Sequence, residues 1–156
     1  MNIVRIDQSF GRFDELLALI RSSFAYMDGV IDPPSSAHHL TSASLMQKAK
    51  DEIAFIALED ASMLGCIFCR PEAMSLYVGK LAVSLKAQGK GVGRALLTKA
   101  EDTASRLGLM LLRLETRIEL TGNHQRFSAW GFAKTAENSH PGYDSITSIE
   151  MTKRLD

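Results

Sequence analysis

The sequence predicts an α/β domain built on a mixed β-sheet, and three observations support this fold class. The chain has 156 residues, of which 46% are apolar and 23% charged, so it can bury one core as a single domain over residues 1–156. Three strand-like runs between residues 53 and 83 are joined by connections of hairpin length, which favour antiparallel pairing. Residues 76–116 then follow the order strand, helix, strand, a crossover that makes two strands parallel.

The N-terminal region predicts one short strand and one amphipathic helix. Residues 3–6, which read Ile-Val-Arg-Ile, have strand character. Apolar residues then recur at helical spacing over residues 13–24. Asp7 and Ser9 precede this stretch, and each is a candidate N-cap because its side-chain oxygen can accept a hydrogen bond from a free amide.

The middle of the chain predicts an irregular connection, a second helix and an antiparallel meander. Residues 27–36 contain one glycine and two prolines, and connections of this kind often shape a binding cleft. A second helical stretch covers residues 41–50. The three strand-like runs of the meander are residues 53–59, 64–70 and 76–83.

The C-terminal half predicts two more helices and three more strands. Gly108 is expected to end the longer helix, because glycine readily adopts the left-handed conformation found at helix ends. We expect a helix over residues 91–107, a strand over 109–116, a helix over 123–130, and strands over 132–137 and 145–154. The complete order is β-α-α-β-β-β-α-β-α-β-β.

Charge and hydropathy argue against two classes of partner. Eighteen basic residues balance eighteen acidic ones, and no run of Lys or Arg is long enough to bind a phosphate backbone, so we expect no nucleic-acid partner. No apolar stretch reaches the roughly 18 residues that a membrane span needs, so we expect no membrane partner either. Residues 1–7 lack the basic-then-apolar order of a signal peptide, which makes the cytoplasm the expected location.

The two cysteines, Cys66 and Cys69, form a CxxC pattern that we interpret as structural. They lie in a strand-like run, where residues three apart point to opposite faces, whereas redox-active pairs lie at the start of a helix. There is no second cysteine pair, and His38 and His39 are adjacent rather than spaced as paired ligands. We therefore expect no metal site.

The most specific segment is a glycine-rich turn between a strand and a helix. Gly89, Gly91 and Gly93 allow unusual backbone angles and let a ligand approach the main chain closely. The first amides of the following helix have no intrahelical partner, and the helix dipole favours negative charge there. Lys90 and Arg94 add positive charge at the same place. This arrangement predicts an anion site of pyrophosphate size.

The spacing of the glycines excludes two common phosphate-binding loops. A dinucleotide fingerprint that begins at Gly91 requires glycine or alanine at position 96, which is Leu96, and one that begins at Gly89 requires it at Arg94. A Walker loop requires a Gly-Lys-Ser/Thr end that this chain does not contain. Neither a nicotinamide dinucleotide nor ATP or GTP is therefore favoured.

One known pattern does fit. Residues 88–93 have the form Q/R-x-x-G-x-G/A and follow the strand Leu81-Ala82-Val83, and Asn123, Phe127 and the pair Gly131-Phe132 come later in the expected order. In these features the sequence closely resembles the GNAT superfamily of N-acetyltransferases, over essentially the whole chain. The resemblance implies a mostly antiparallel sheet of about six or seven strands, helices on both faces, a splayed central parallel pair, and acetyl-CoA as cosubstrate.

The resemblance also implies which residues bind the coenzyme. Backbone groups of Leu81 and Val83 would hold the pantetheine arm, and the Leu81 amide would stabilise the oxyanion that forms on the thioester. Amides of the glycine turn would bind the pyrophosphate, while Asn123 would bond to the pantetheine. The complete implied set is Leu81, Val83, Gln88, Gly89, Lys90, Gly91, Val92, Gly93, Arg94, Asn123 and Phe127.

The usual acid and base of the family are missing from this sequence. Some relatives place the base on the strand that contains Leu81, where this chain has Tyr77 and Gly79. Many relatives place a tyrosine acid where this chain has Phe127. The remaining candidates are Tyr143, Tyr77 or water as the acid, and Glu72 or Glu115 as the base through a water chain.

The predicted function is transfer of an acetyl group from acetyl-CoA to a primary amine of a small molecule or peptide. Two alternatives stay open because of the missing acid and base: a module of the same fold that senses CoA or acyl-CoA without turnover, and transfer of a longer acyl group. A monomer and a homodimer paired through the final hairpin are both compatible with the sequence.

Overall fold

The computed structural model describes residues 1–156 and contains one seven-stranded sheet, in the order β1-β2-β3-β4-β5-β7-β6. The predicted order of strands and helices is confirmed. The strands are β1 (Asn2–Arg5), β2 (Ile53–Glu59), β3 (Ser62–Pro71), β4 (Ser75–Val83), β5 (Leu111–Arg117), β6 (Ala133–Asn138) and β7 (Ser148–Arg154). The helices are α1 (Phe13–Phe24), α2 (Ser42–Asp51), α3 (Val92–Arg106) and α4 (Thr121–Ala129).

The sheet is antiparallel except for its central pair, β4 and β5. These two strands pair only at their beginnings, from Ser75 opposite Leu111 to Tyr77 opposite Arg113. Beyond this point they separate, although each continues for several residues. The splayed parallel pair that the resemblance implied is therefore present.

A hydrophobic core lies on each face of the sheet, so helices cover both faces as predicted. On one face α3 packs through Leu96 and Ala100, and on the other α1 packs through Leu16 and Ile20 together with α2. The burial of apolar side chains on both faces is the main favourable contribution to folding. None of the helices combines the length and the apolar character needed to cross a bilayer.

The two cysteines contribute to opposite cores, which agrees with the expected alternation along β3. Cys66 packs with the α1 side and Cys69 with the α3 side. Both are buried, free thiols, and burial raises the pKa of each to about 12. They behave as small apolar strand residues.

Most element bounds lie within two residues of the predicted ones, but the predicted caps of α1 and the predicted start of the last strand were wrong. Neither Asp7 nor Ser9 caps α1, because Asp7 accepts hydrogen bonds from Ser9 within a turn of its own, and the helix begins after Arg12 without a side-chain cap. The last strand begins at Ser148 instead of residue 145, because the preceding residues close a loop in which the Ser139 hydroxyl donates to the carbonyl of residue 145.

Candidate active site

The separation of β4 from β5 opens a cleft of about 1320 Å3. It runs from the glycine turn before α3 to the irregular connection after α1. Tyr77 lines the cleft, whereas Lys90 and Tyr143 do not. Ten of the eleven residues that the resemblance assigned to the coenzyme also line it: Leu81, Val83, Gln88, Gly89, Gly91, Val92, Gly93, Arg94, Asn123 and Phe127.

A bulge in β4 accounts for the separation of the strands. Against β3, Ala82 pairs with Cys66 and Gly79 pairs with Phe68, so Lys80 and Leu81 together face the single residue between them. Lys80 has a φ of 47°, which is uncommon for a residue other than glycine. An extra residue of this kind bends a strand and increases its twist. The end of β4 carrying Leu81 consequently turns away from β5.

The glycine turn delivers free amides to the cleft. Gly89 and Gly91 have φ values of 79° and 83°, a region in which an L side chain is strained. Gly91 is the N-cap of α3 and provides no side-chain hydrogen bond to the helix. The first amides of this 15-residue helix therefore have no side-chain cap and can bind an anion.

The face of the cleft formed by α4 combines an amide and a phenol. The side-chain amide of Asn123 donates a 3.2 Å hydrogen bond to the hydroxyl of Tyr26, which lines the cleft and is 55% exposed. Phe127 packs edge-on against Trp130 and Phe132, with centroid distances of 6.0 and 5.8 Å. Tyr26 was not predicted to be a site residue, because it lies in a three-residue 3-10 helix (Ala25–Met27) that has no recognisable sequence pattern.

A buried threonine hydroxyl also lines the cleft without a partner. Thr116, on β5 beyond the point of separation, is 7% exposed, and its Oγ1 makes no hydrogen bond. Buried hydroxyls are almost always hydrogen-bonded, so this atom is open to a ligand. Thr116 was not predicted to be a site residue either. The signal was a polar residue at the next inward position after Leu112 and Leu114.

A network of ion pairs lies beside the cleft on the other face of β5. Arg113 donates two hydrogen bonds of 2.9 Å to Glu72 and one of 3.2 Å to Glu150. The bonds from Arg113 lower the pKa of Glu72. Burial, and next the charge of Glu115, raise the pKa of Tyr77, whose ring centroid is 4.5 Å from the Arg113 guanidinium. Glu72 does not line the cleft, but Glu115 does.

The far end of the cleft is bounded by the connection after α1. Lys80 Nζ donates a 2.8 Å hydrogen bond to Ser36 Oγ. Arg117 donates to the carbonyls of Pro33 and Pro34, at 2.7 and 3.2 Å. These bonds hold the connection against the ends of β4 and β5, so that it forms a wall of the cleft.

Comparison with known proteins identifies a family from the sequence. The profile of the acetyltransferase (GNAT) family matches residues 14–132. The IAA acetyltransferase of Azospirillum brasilense is 29% identical over 145 residues, which cover 91% of this chain and 92% of that protein.

Solved structures resemble the fold over its whole length. The PaiA N-acetyltransferase of Thermoplasma acidophilum in complex with coenzyme A matches with a TM-score of 0.79 at 18% identity, over 99% of each chain. The IAA acetyltransferase from Bacillus cereus ATCC 14579 matches with a TM-score of 0.68 at 18% identity, also over 99% of each chain. Since the family profile covers more than half of the sequence and the fold agrees, this chain belongs to the acetyltransferase (GNAT) family.

Proposed function

We propose that this protein transfers the acetyl group of acetyl-CoA to a primary amine, which attacks the thioester directly in a ternary complex. The observation that carries the proposal is the meeting of two features in one cleft. The uncapped start of α3 offers an anion site at one end, and the separated strands β4 and β5 leave room for a thioester arm beside it.

The glycine turn would bind the diphosphate of the coenzyme. Main-chain amides of residues 89–94 would donate to its oxygens, and the dipole of α3 favours the negative charge there. Arg94 lines the cleft at this point, whereas Lys90 lies outside the lining and would add positive charge from the turn itself. The PaiA N-acetyltransferase, which shares the fold, is in complex with coenzyme A, and this supports the assignment.

Backbone groups on β4 would position the reacting thioester. The amide of Leu81 would donate to the carbonyl oxygen as it becomes an oxyanion, and Val83 would hold the pantetheine arm. Losing one such donor typically reduces kcat by about 100- to 1000-fold. Asn123 and Thr116 would contact the polar groups of the arm from the opposite side of the cleft.

The amine must lose a proton before it attacks, because an amine with a pKa of about 10.4 is almost fully protonated at pH 7. Glu115 is the carboxylate best placed to accept this proton through water, since it lines the cleft and Glu72 does not. Arg113 pairs with both carboxylates, through two hydrogen bonds to Glu72 and at 3.6 Å from Glu115. A thiol with a pKa of about 8.5 leaves readily as a thiolate, so a dedicated acid is worth only about 2 kcal/mol. Tyr77 and Tyr143 remain the candidate acids.

The proposal is tested by the release of free thiol from acetyl-CoA across a panel of primary amines. We expect at least one amine to raise the rate above background hydrolysis, with intersecting initial-velocity patterns that indicate a ternary complex. Tight CoA binding without turnover of any amine would instead support a sensor of CoA or acyl-CoA. Stronger competition by longer acyl-CoA compounds than by acetyl-CoA would indicate a different acyl donor.

A further inference from the structure

The end of the cleft farthest from the glycine turn carries an uneven distribution of charge. We call this region the acceptor end and define it by Lys80, Glu115, Arg117, Met27 and Ile31, all of which line the cleft. It contains two cations beside one carboxylate. Part of its wall is apolar, because Met27 and Ile31 are buried side chains at the surface of the cavity.

Neither cation of the acceptor end has a carboxylate partner. Lys80 donates to the neutral hydroxyl of Ser36, and Arg117 donates to two backbone carbonyls. Some other partly buried cations of the chain are paired with carboxylates, although Lys99, which lies over the Phe55 ring, is not. Arg113 binds Glu72 and Glu150, and Lys48 binds Glu52 at 2.7 Å. Buried charges are normally paired, so the acceptor end is suited to receive an anion from outside the protein.

The surroundings of Lys80 favour such an anion. Burial, and then the charge of Lys48, lower the pKa of Lys80, and Arg117 on β5 acts in the same direction. Glu52 is the carboxylate nearby that opposes this effect, but Lys48 already binds it. A carboxylate placed between Lys80 and Arg117 would offset the repulsion of these two cations.

Glu115 provides the opposite charge beside these cations, and Arg113, at 3.6 Å, and the side-chain amide of Asn138, at 3.4 Å, hold its carboxylate in place. It lies two residues before Arg117 on β5, so both side chains extend from the same face of the strand, with Cα atoms about 7 Å apart. The site thus presents a carboxylate beside a pair of cations, which complements a ligand that carries an ammonium group beside a carboxylate.

We propose that the acceptor is an amino acid with an apolar side chain, bound with its amine toward Glu115 and its carboxylate on Lys80 and Arg117. This inference rests on the proposed acetyl transfer to an amine. The ammonium gives one proton to Glu115 through water, and the neutral nitrogen attacks the thioester carbon. The C–N bond forms first and the carbonyl oxygen becomes the oxyanion. The C–S bond then breaks as the carbonyl re-forms, the electron pair leaves on sulfur, and the second proton from nitrogen neutralises the thiolate.

The test compares amino acids with their amides, which keep the amine and the side chain but lack the carboxylate. Valine, leucine, methionine and phenylalanine are each paired with the corresponding amide, at equal concentrations of neutral amine. We expect kcat/KM for the best amino acid to exceed that for its amide by about 10- to 100-fold, the range for hydrogen bonds to charged groups. Arg117→Gln is expected to remove most of this preference, and the ratio of the two kcat/KM values is the readout because Arg117 also holds a wall of the cleft.

Two further variants separate recognition from folding. Arg117 also holds the carbonyls of Pro33 and Pro34, so Lys80→Met provides a second test that leaves those bonds intact and removes only the bond from Lys80 to Ser36. It should reduce the preference for the carboxylate as well. Lys50→Met removes an equal charge from an exposed position outside the cleft. It should leave kcat/KM unchanged for both the amino acid and its amide. Equal turnover of acids and amides, or equal losses for both in the variants, would overturn the inference.

A binding measurement distinguishes this inference from the proposed function. N-acetylleucine and N-acetylleucinamide are titrated into protein saturated with CoA. Tighter binding of the acid, lost in Lys80→Met, would support the carboxylate site even if no amine were turned over. Indistinguishable binding of the two compounds would overturn it. Turnover of amines without any dependence on a carboxylate would leave the proposed function standing and would refute only the assignment of the acceptor.

Discussion

The hydroxyl of Tyr143 donates a 2.6 Å hydrogen bond to Oδ1 of Asp32, although 111 positions separate the two residues in the chain. This bond joins the loop before β7 to the connection that bounds the acceptor end of the cleft. The bond to Asp32 raises the pKa of Tyr143. Because Tyr143 does not line the cleft, a direct proton transfer from it to the coenzyme would need a rearrangement of the loop.

The first prediction concerns this bond. Tyr143→Phe and Asp32→Asn should raise KM for the acceptor by similar factors, about 2- to 10-fold for the loss of one hydrogen bond. The double variant should be little worse than either single one, because both changes remove the same interaction. Steady-state kinetics with a fixed saturating concentration of acetyl-CoA measures this. A lower kcat in Tyr143→Phe alone, together with loss of a fall in kcat that the wild type shows at high pH, would instead identify Tyr143 as the acid.

The second prediction concerns the pH dependence of stability. Hydrogen bonds from Arg113 hold the pKa of Glu72 below its ordinary value of 4.5. The unfolded chain therefore binds the proton first as the pH falls, so the contribution of Glu72 is complete above about pH 4.5 and is lost as the pH falls through the folded-state pKa. Glu72→Gln should lower the free energy of unfolding by about 1–3 kcal/mol at pH 7.

Denaturant unfolding at a series of pH values measures this effect. The difference in the free energy of unfolding between the wild type and Glu72→Gln should shrink as the pH falls below 4.5. Glu15→Gln, which alters the exposed pair with Arg12, is the control and should have a much smaller effect at every pH. If the loss of unfolding free energy in Glu72→Gln stays constant down to the lowest pH measured, the lowered pKa of Glu72 is contradicted.

The third prediction concerns the unpartnered hydroxyl of Thr116. Thr116→Val keeps the shape of the side chain and removes a buried polar atom without a partner, so the ligand-free protein should be as stable as the wild type or more stable. The Kd for CoA should rise by about 2- to 10-fold, because one hydrogen bond to the arm is lost. The variant should therefore be at least as stable as the wild type while it binds CoA more weakly. Loss of structure alone cannot produce this combination.

Calorimetric titration of CoA and thermal unfolding provide the two readouts for Thr116→Val. The matched control is Thr103→Val, since the Thr103 hydroxyl donates to the carbonyl of Lys99 within α3 and does not line the cleft. This control should leave CoA binding unchanged. Unchanged CoA affinity in Thr116→Val would show that the hydroxyl does not contact the coenzyme.

Local patterns in the sequence predicted the elements that carry the site. The helical spacing of apolar residues gave α1 its observed bounds, and the run of apolar residues gave those of β2. The glycine turn was recognisable because three alternate glycines that enter a helix lower stability. Binding of a ligand to the open main chain explains why glycine is present at these positions. The prediction that Asp7 or Ser9 caps α1 was wrong because these residues can stabilise a turn of their own as readily as a helix.

Contacts between distant parts of the chain could not be predicted from such local patterns. No local signal indicates that Arg117 will bind the carbonyl of Pro33, or that Asn123 will meet Tyr26, since 84 and 97 positions separate these residues. The bulge at Lys80 depends on the register between β3 and β4. The chemistry of the acceptor end arises from these long-range contacts, so only the structure reveals it.

The central claim is that the main-chain amides of residues 89–94 bind the diphosphate of the coenzyme. Hydrogen exchange of these amides tests it most directly, measured with saturating CoA and with saturating pantetheine, which has the same thiol arm but no diphosphate. We predict that CoA slows exchange across residues 89–94 and that pantetheine leaves it close to the rate of the free protein. Unchanged exchange at these amides when CoA is bound would contradict the claim.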